Sequence, residues 1–277
     1  MPPDLMEEIV MTFLYIVLGV IIVFVAFKIN LWLGLGLIAA LTIYGIYHFI
    51  PTFYVTKGNQ AYAAGDEEAS REWYKKAYDT GRMNVKMKSS YAYILLRTGH
   101  EDEAEKILDP IIRVKRLAPE KKNLAKQQRC MVYYRQGRIK EALEEAMDLY
   151  ESGYRTSNLY GMIGYFKLLS DAPVEETLKM CEEAYDYDKD NRDILDNLSI
   201  CYYRLNRYED AEKISDELLA ENDNFIEGYY HGAQIALKRG NYKKAQEYLD
   251  KLSECKRSKM TTITEEEIEV LRQEIRK

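Results

Sequence analysis

The chain has 277 residues, and its 39 Lys and Arg against 45 Asp and Glu give a net charge of -6. That balance argues against general nucleic-acid binding, which needs a basic surface to neutralise phosphates. Six prolines and no low-complexity tract argue against extensive disorder. The four cysteines, Cys130, Cys181, Cys201 and Cys255, contain no C-x-x-C pair, so reduced structural thiols are expected rather than zinc or a disulfide framework.

Residues 1–8 read as a tail with Asp4, Glu7 and Glu8 and no Lys or Arg. Ile9 to Phe27 is then 19 uncharged residues, about 28 Å of helix at 1.5 Å per residue. A signal peptide would want a basic start and a small-residue cleavage site after a shorter core. After Lys28, Ile29 and Asn30 comes a second uncharged run, Leu31 to Ile50. So short a break predicts an antiparallel transmembrane hairpin over 9–50, embedded in a lipid bilayer. Gly36 and Ala40 form a small-x-x-x-small pair that permits close approach to a neighbour. The first helix of the same chain is the expected neighbour, and a homo-oligomer through the hairpin is the alternative. Tyr44, Tyr47, His48, Phe53 and Tyr54 gather where the second helix would leave the bilayer, as an aromatic belt does. Pro51 should end or bend that helix. Two spans put both termini on one side, and Lys57 and Arg71 against the hairpin's Lys28 place the larger part in the cytoplasm.

From about residue 54 paired helical patterns recur. The first has Gly58 and Ala61, the turn Gly65-Asp66, then Ala69, Trp73, Tyr74 and Ala77. The second has Tyr91, Ala92 and Leu95, the turn Gly99-His100, then Ala104, Leu108 and Ile111, with Pro110 expected to kink its second helix or begin a new turn. The third has Cys130 and Tyr133, the turn Gly137-Arg138, then Ala142, Ala146 and Leu149. The step from Gly99 to Gly137 is four residues longer than that from Gly65 to Gly99, and the excess is assigned to a longer connection around Leu117-Ala118-Pro119. The fourth has Tyr160, Ile163 and Gly164, then Thr177, Cys181 and Ala184, but its turn, Ser170-Asp171-Ala172-Pro173, lacks the glycine. The fifth carries Leu195, Leu198, Ser199 and Tyr202 on one helical face, Asn206 at the turn, then Ala211, Ile214, Ser215 and Leu218. Small Ser199 and Ala211 should let these two helices approach closely. Thirty-four residues on, Tyr229, Gly232, Ala233 and Ala236, then Gly240, then Ala245, Leu249 and Leu252 repeat the pattern.

Residues 254–277 read as a linker and a last helix. Thr264 and Glu267 make a capping box, and Ile263 with Ile268 has the spacing of a hydrophobic staple. Ile268, Leu271 and Ile275 form a single apolar stripe, as a helix covering the open end of a repeat stack requires.

No Gly-rich phosphate loop, H-E-x-x-H, G-x-S-x-G or metal-spaced cluster occurs, and His48, His100 and His231 are isolated in sequence. The sequence therefore offers no catalytic, cofactor-binding or metal site, and a non-enzymatic role is expected.

A period of 34 with a turn residue between two amphipathic helices resembles the tetratricopeptide repeat. The resemblance covers roughly residues 54–253. It implies a right-handed α-solenoid of about six helix pairs, so that with the transmembrane helical hairpin before it and the C-terminal capping helix after it the expected fold is all-α. It also implies a concave groove, lined by the first helices, that binds peptides or protein segments. The chain looks like bacterial membrane-anchored repeat proteins that act as scaffolds or assembly factors; a subgroup of these ends in a cysteine-rich metal module, which Cys255 alone cannot make. Two residues before four of the turn positions stand Arg97, Arg135, Arg204 and Lys238. Equivalent positions of stacked units lie above one another, so these should form a ladder. The resemblance places it on the concave side with Tyr93, Tyr134, Tyr203 and Tyr230 nearby, where it would favour a segment carrying acids or a terminal carboxylate. One alternative is a chaperone adaptor that clamps an acidic C-terminal tail. In that family Lys and Asn side chains hold the carboxylate; Asn59 is suitably placed, whereas Ser89 and Tyr93 stand at later clamp positions. A second alternative is an accessory subunit of a membrane enzyme or transporter.

Overall fold

A computed structural model describes residues 3–170, 172–221, 224–257 and 259–276, with side chains except those of 3–12, 15, 16 and 221. All regular structure among these residues is α-helical. The chain divides into two compact units, Met1–Met83 and Asn84–Lys277.

The first unit holds α1 (Pro3–Ile29), α2 (Leu31–Ala63) and α3 (Glu67–Asp79). Only Asn30 separates α1 from α2; its backbone is extended and its side chain accepts the Trp32 N–H at 2.7 Å, the N-cap that starts α2. The two helices meet at Gly34, where a Cβ would lie 2.4 Å from the Phe27 ring, whereas Gly36 and Gly45 face open space. The contact thus uses Gly34 and not the expected Gly36. A one-residue connection brings the partner helix against the first turn of α2 rather than its middle.

α2 also continues past Pro51 to Ala63, so it does not end there. Pro51 has no N–H for the carbonyl of Tyr47, and the Arg82 guanidinium donates to that carbonyl instead while lying 3.6 Å over the Tyr47 ring. A backbone group that would be left without a partner is thereby satisfied from outside the helix. The last turns of α2 serve as the first helix of the first pair. Tyr74 of α3 packs where a Cβ on Gly58 would sit 2.6 Å from its ring, and its hydroxyl donates to Asn59 Oδ1 at 2.5 Å.

The second unit holds five further pairs: α4 (Val85–Arg97) with α5 (Glu101–Arg113), α6 (Pro119–Arg135) with α7 (Ile139–Glu151), α8 (Ser157–Leu169) with α9 (Val174–Tyr187), α10 (Arg192–Arg204) with α11 (Tyr208–Glu221), and α12 (Ile226–Lys238) with α13 (Tyr242–Glu254). α14 (Glu265–Ile275) follows. Gly99, Gly137, Asn206 and Gly240 all have positive φ, at 76°, 75°, 58° and 75°. The next N–H folds back to the carbonyl five residues before it, as from Arg138 to Tyr133 at 2.8 Å and from Asn241 to Ala236 at 2.9 Å. This paired-bond C-cap needs a left-handed residue, which is why Gly or Asn recurs there. At the fourth turn Ser170 is extended and Pro173 is the N-cap of α9, and Asp171 lies outside the described residues.

α5 continues through Pro110 and ends one turn later; the proline removes the one N–H that would reach the Lys106 carbonyl. One sequence expectation is corrected here. The four extra residues of the third repeat lengthen a helix rather than a connection: α6 has 17 residues where α4 has 13. Pro119 starts that added turn from the first helical position, where its missing N–H costs nothing.

Within the second unit Cys130, Ala142, Ala146, Leu149, Leu159, Ile163 and Phe166 form one core cluster. Ser199 and Ala211, fully buried, stand where α10 meets α11. Ile263, Ile268 and Leu271 join Ile226, Tyr229, Leu249 and Leu252, so α14 covers the end of the stack, and its Thr264–Glu267 capping box is formed. Polar bonds also step from repeat to repeat. Tyr150 donates to Glu183 at 2.6 Å, Tyr185 to Glu217 at 3.1 Å and Tyr248 to Asp216 at 2.9 Å. These links tie α7 to α9, α9 to α11 and α13 to α11, which accounts for several of the 24 tyrosines.

Candidate interaction surface

The first helices of the second unit lie side by side, α4 with α6, α8 with α10 and α10 with α12. Among the described residues no second helix makes a comparable contact with the next second helix. A stack whose first helices approach more closely than its second helices curves toward the first, and its concave wall is therefore α4, α6, α8, α10 and α12.

The eight residues expected to form a basic and aromatic stripe divide into separate environments. Arg135 Nε donates to Glu101 at 3.0 Å, across to the preceding pair. Arg204 donates to the Leu168 carbonyl at 2.7 Å. Arg97 is half-buried, and Lys238 is exposed. Arg135 and Arg204 are therefore bonded within the chain. Of the tyrosines, Tyr134 meets Tyr165, hydroxyl to hydroxyl at 3.0 Å and ring to ring at 5.4 Å. Burial, then Tyr208 and Glu274, pushes the Tyr203 phenol up, and burial, then Glu267, Glu274 and Tyr203, pushes that of Tyr230 up. Tyr93 is exposed. Asn59, the first anchor of the carboxylate-clamp alternative, is the acceptor for Tyr74 within its own pair, and Ser89 is buried.

A group of acids occupies the wall of α10 and α12. Asp196 is buried within the apolar face of α10 and meets His231 Nδ1 of α12 at 2.9 Å. Burial opposes protonation of His231, but the charge and hydrogen bond of Asp196 and the charge of Glu227 outweigh it and raise its pKa above 6.5. Asp193, one turn earlier, has its carboxyl pushed up by loss of hydration, with Asp196 and Glu227 adding to the rise and Arg192 opposing it. Gly161 of α8 lets α10 approach here, since a Cβ would stand 3.2 Å from that of Asp193.

The segment between α13 and α14 runs over this wall. Thr262 donates its N–H to Glu227 Oε1 at 2.8 Å and its hydroxyl to the same atom at 3.3 Å. The Thr262 hydroxyl also neighbours the Tyr165 phenol on α8. Lys259 reaches further and donates to the Thr98 carbonyl at 2.9 Å, just past the end of α4. One stretch of chain thus touches α4, α8 and α12.

Sequence reasoning missed Asp196, Glu227 and Lys259. Asp196 had a visible signal, an acid on the apolar face of a helix otherwise built from Leu195, Leu198 and Ser199. Lys259 had none, because 161 residues separate it from its partner. Among the described residues no group of three or more His, Cys, Asp and Glu could hold a metal ion.

The sequence model of the tetratricopeptide repeat family matches residues 174–234, from the start of α9 through most of α12. No curated protein matches the chain in sequence. The fold is similar to that of a tetratricopeptide repeat protein from Parabacteroides merdae, at 15% identity and TM-score 0.57 over 82% of this chain and 85% of that one. It is also similar to a chain of the APC/C hetero-tetramer Cut9–Hcn1, at 14% identity and TM-score 0.66, over 81% of this chain and 42% of that one. Pseudomonas aeruginosa pilF aligns at 13% identity and TM-score 0.56 over 75% of this chain and 92% of that one. The second unit thus has a tetratricopeptide-like solenoid fold.

Proposed function

We propose that the chain is a membrane-anchored interaction scaffold that holds a protein segment along the concave wall of α4 to α12. The observation that carries the reading is the pairing of this solenoid with α2. α2 is long and apolar enough to cross a bilayer, and its apolar side chains are left outward, with Trp32 78% and Ile43 68% exposed. In water such a surface is costly; in lipid it is the solvent-facing side of a span. In α1 the described apolar stretch is shorter, Val17–Ile29, and the hairpin reading adds it as a second span. Tyr44 and Tyr47, exposed beside His48, suit the membrane–water boundary, and Arg82 over Tyr47 would mark the side where water begins.

Resistance of the full-length chain to alkaline carbonate extraction tests the anchor, with residues 84–277 expected in the supernatant. Recovery of the whole chain there would refute it. The cytoplasmic placement is tested by Asn30→Cys, which an impermeant thiol reagent should label in intact cells. The scaffold role is tested by crosslinking from native membranes, where partners should be recovered through residues 84–277.

A further inference from the structure

We propose that the concave wall between Thr98 and Glu227 is a binding site for an extended, positively charged segment, and that Lys259–Thr264 is its resident occupant in the free chain. The inference rests on the scaffold reading and adds the chemistry of the ligand.

Three observations point the same way. Three bonds run from a donor on the segment to an acceptor on the wall: the Lys259 ammonium to the Thr98 carbonyl, and the Thr262 N–H and hydroxyl to Glu227. The Thr98 carbonyl lies at the C-terminus of α4, where the helix dipole favours a cation. The charge of the wall agrees. Asp193, Asp196 and Glu227 cluster on α10 and α12; Asp193 pairs with Arg192 at 3.5 Å and Asp196 with His231, while Arg204 is held by the Leu168 carbonyl, so Glu227 is the acid that meets the segment. The route is also shaped for the lysine stem, since a Cβ on Gly99 would lie 3.4 Å from Lys259 Cδ.

A partner that reads this wall competes with the chain's own segment, so its apparent affinity falls by the fraction of chains in which the segment is detached. Only Ile263 of the occupant is buried, under α14. Lys259 to Thr262 can therefore leave while Ile263 and the Thr264 cap stay in place and α14 continues to cover the end of the stack.

The test is fluorescence anisotropy of a labelled peptide of residues 256–264 titrated with full-length protein in detergent. Lys259→Glu combined with Thr262→Pro removes the ammonium and the backbone donor while leaving the wall intact. This double variant should bind the peptide at least about tenfold more tightly than the unaltered chain does. Lys259→Ala alone should shift affinity in the same direction by less, which keeps the test valid if the proline perturbs folding. Lys256→Glu should behave as the unaltered chain, and a peptide with glutamate in place of its Lys259 should not bind. Equal affinity of all variants, or no binding to any, would overturn the proposal. Partner capture by the unaltered chain, measured separately, would in that case leave the scaffold reading standing.

Discussion

Nδ1 of His231 on α12 lies 2.9 Å and 3.1 Å from the two carboxylate oxygens of Asp196 on α10, joining adjacent first helices across the concave wall. The side chains are 18% and 9% exposed, so water screens the pair only in part. Asp193, Glu227, Glu267 and Arg204 are the other charges that bear on it.

The pair makes stability depend on pH in a defined direction. The folded pKa of His231 is raised above the unfolded value of 6.5, because Asp196 and Glu227 overcome the opposing effect of burial. A raised pKa contributes stability that is complete below the unfolded pKa and lost as pH rises through the folded one. Denaturant unfolding of residues 84–277 at about pH 6 and about pH 8 should therefore show the larger free energy at the lower pH. His231→Gln should cost about 3 kcal/mol at the lower pH and flatten the slope. An unchanged slope would remove His231 as its source.

Arg129 makes a second buried contact of this kind, with a different partner geometry. Its guanidinium donates to both oxygens of Glu145, at 2.9 Å and 2.6 Å, and to Asp109 at 2.7 Å. Glu145 is 8% exposed, so Arg129→Leu strands a buried carboxylate and should cost about 3–5 kcal/mol in urea unfolding. Arg129→Leu with Glu145→Leu should recover most of that loss, because two apolar groups replace the ions. A double variant as unstable as the single one would show that packing, not charge, is at fault.

The repeats were legible because each encodes itself locally. Gly65, Gly99, Gly137, Asn206 and Gly240 announce left-handed turns, and Leu195, Leu198 and Ser199 announce a buried face; all of these are present. What escaped was decided at a distance. Pro51 reads as a stop until Arg82, thirty-one positions on, supplies the missing donor to Tyr47. The arginine ladder was drawn from period alone, and period cannot reveal that Glu101 and the Leu168 carbonyl claim Arg135 and Arg204. Nor can it show that a lysine beyond the last pair returns to Thr98.

The thiols should divide three to one in reactivity. Cys130, Cys181 and Cys201 are buried and Cys255 is half-exposed. Burial, then Glu145, pushes the Cys130 thiol up, and the Cys181 thiol is raised by its hydrogen bond from Cys201, 3.7 Å away, and by burial. A thiol held above its usual pKa has little thiolate to react. A native chain treated with a maleimide should therefore label quickly at Cys255 alone, and denaturant should release the other three. Fast labelling at Cys181 in the native chain would show that α9 and α10 open locally.

Two Gly→Ala substitutions separate backbone conformation from packing. Gly137 has φ of 75° and open space where a Cβ would go, so Gly137→Ala costs only what an L residue incurs in left-handed backbone, about 1–2 kcal/mol. Gly164 is helical, and alanine would favour its backbone by about 1 kcal/mol. Its Cβ, however, would stand 2.9 Å from Asn197 Nδ2 and 3.2 Å from Cys181 Sγ. Asn197 cannot retreat freely, because that same nitrogen donates to the Gly161 carbonyl at 2.8 Å. Overpacking of about 1–3 kcal/mol should outweigh the gain in helix propensity. Gly164→Ala combined with Cys181→Ala makes room on one side and should recover part of the loss, whereas Gly137→Asn, a residue that tolerates left-handed backbone, should recover most of the other. Unfolding free energies of the four variants settle the matter: rescue of Gly137 by asparagine but not of Gly164 by Cys181→Ala would place the whole clash on Asn197.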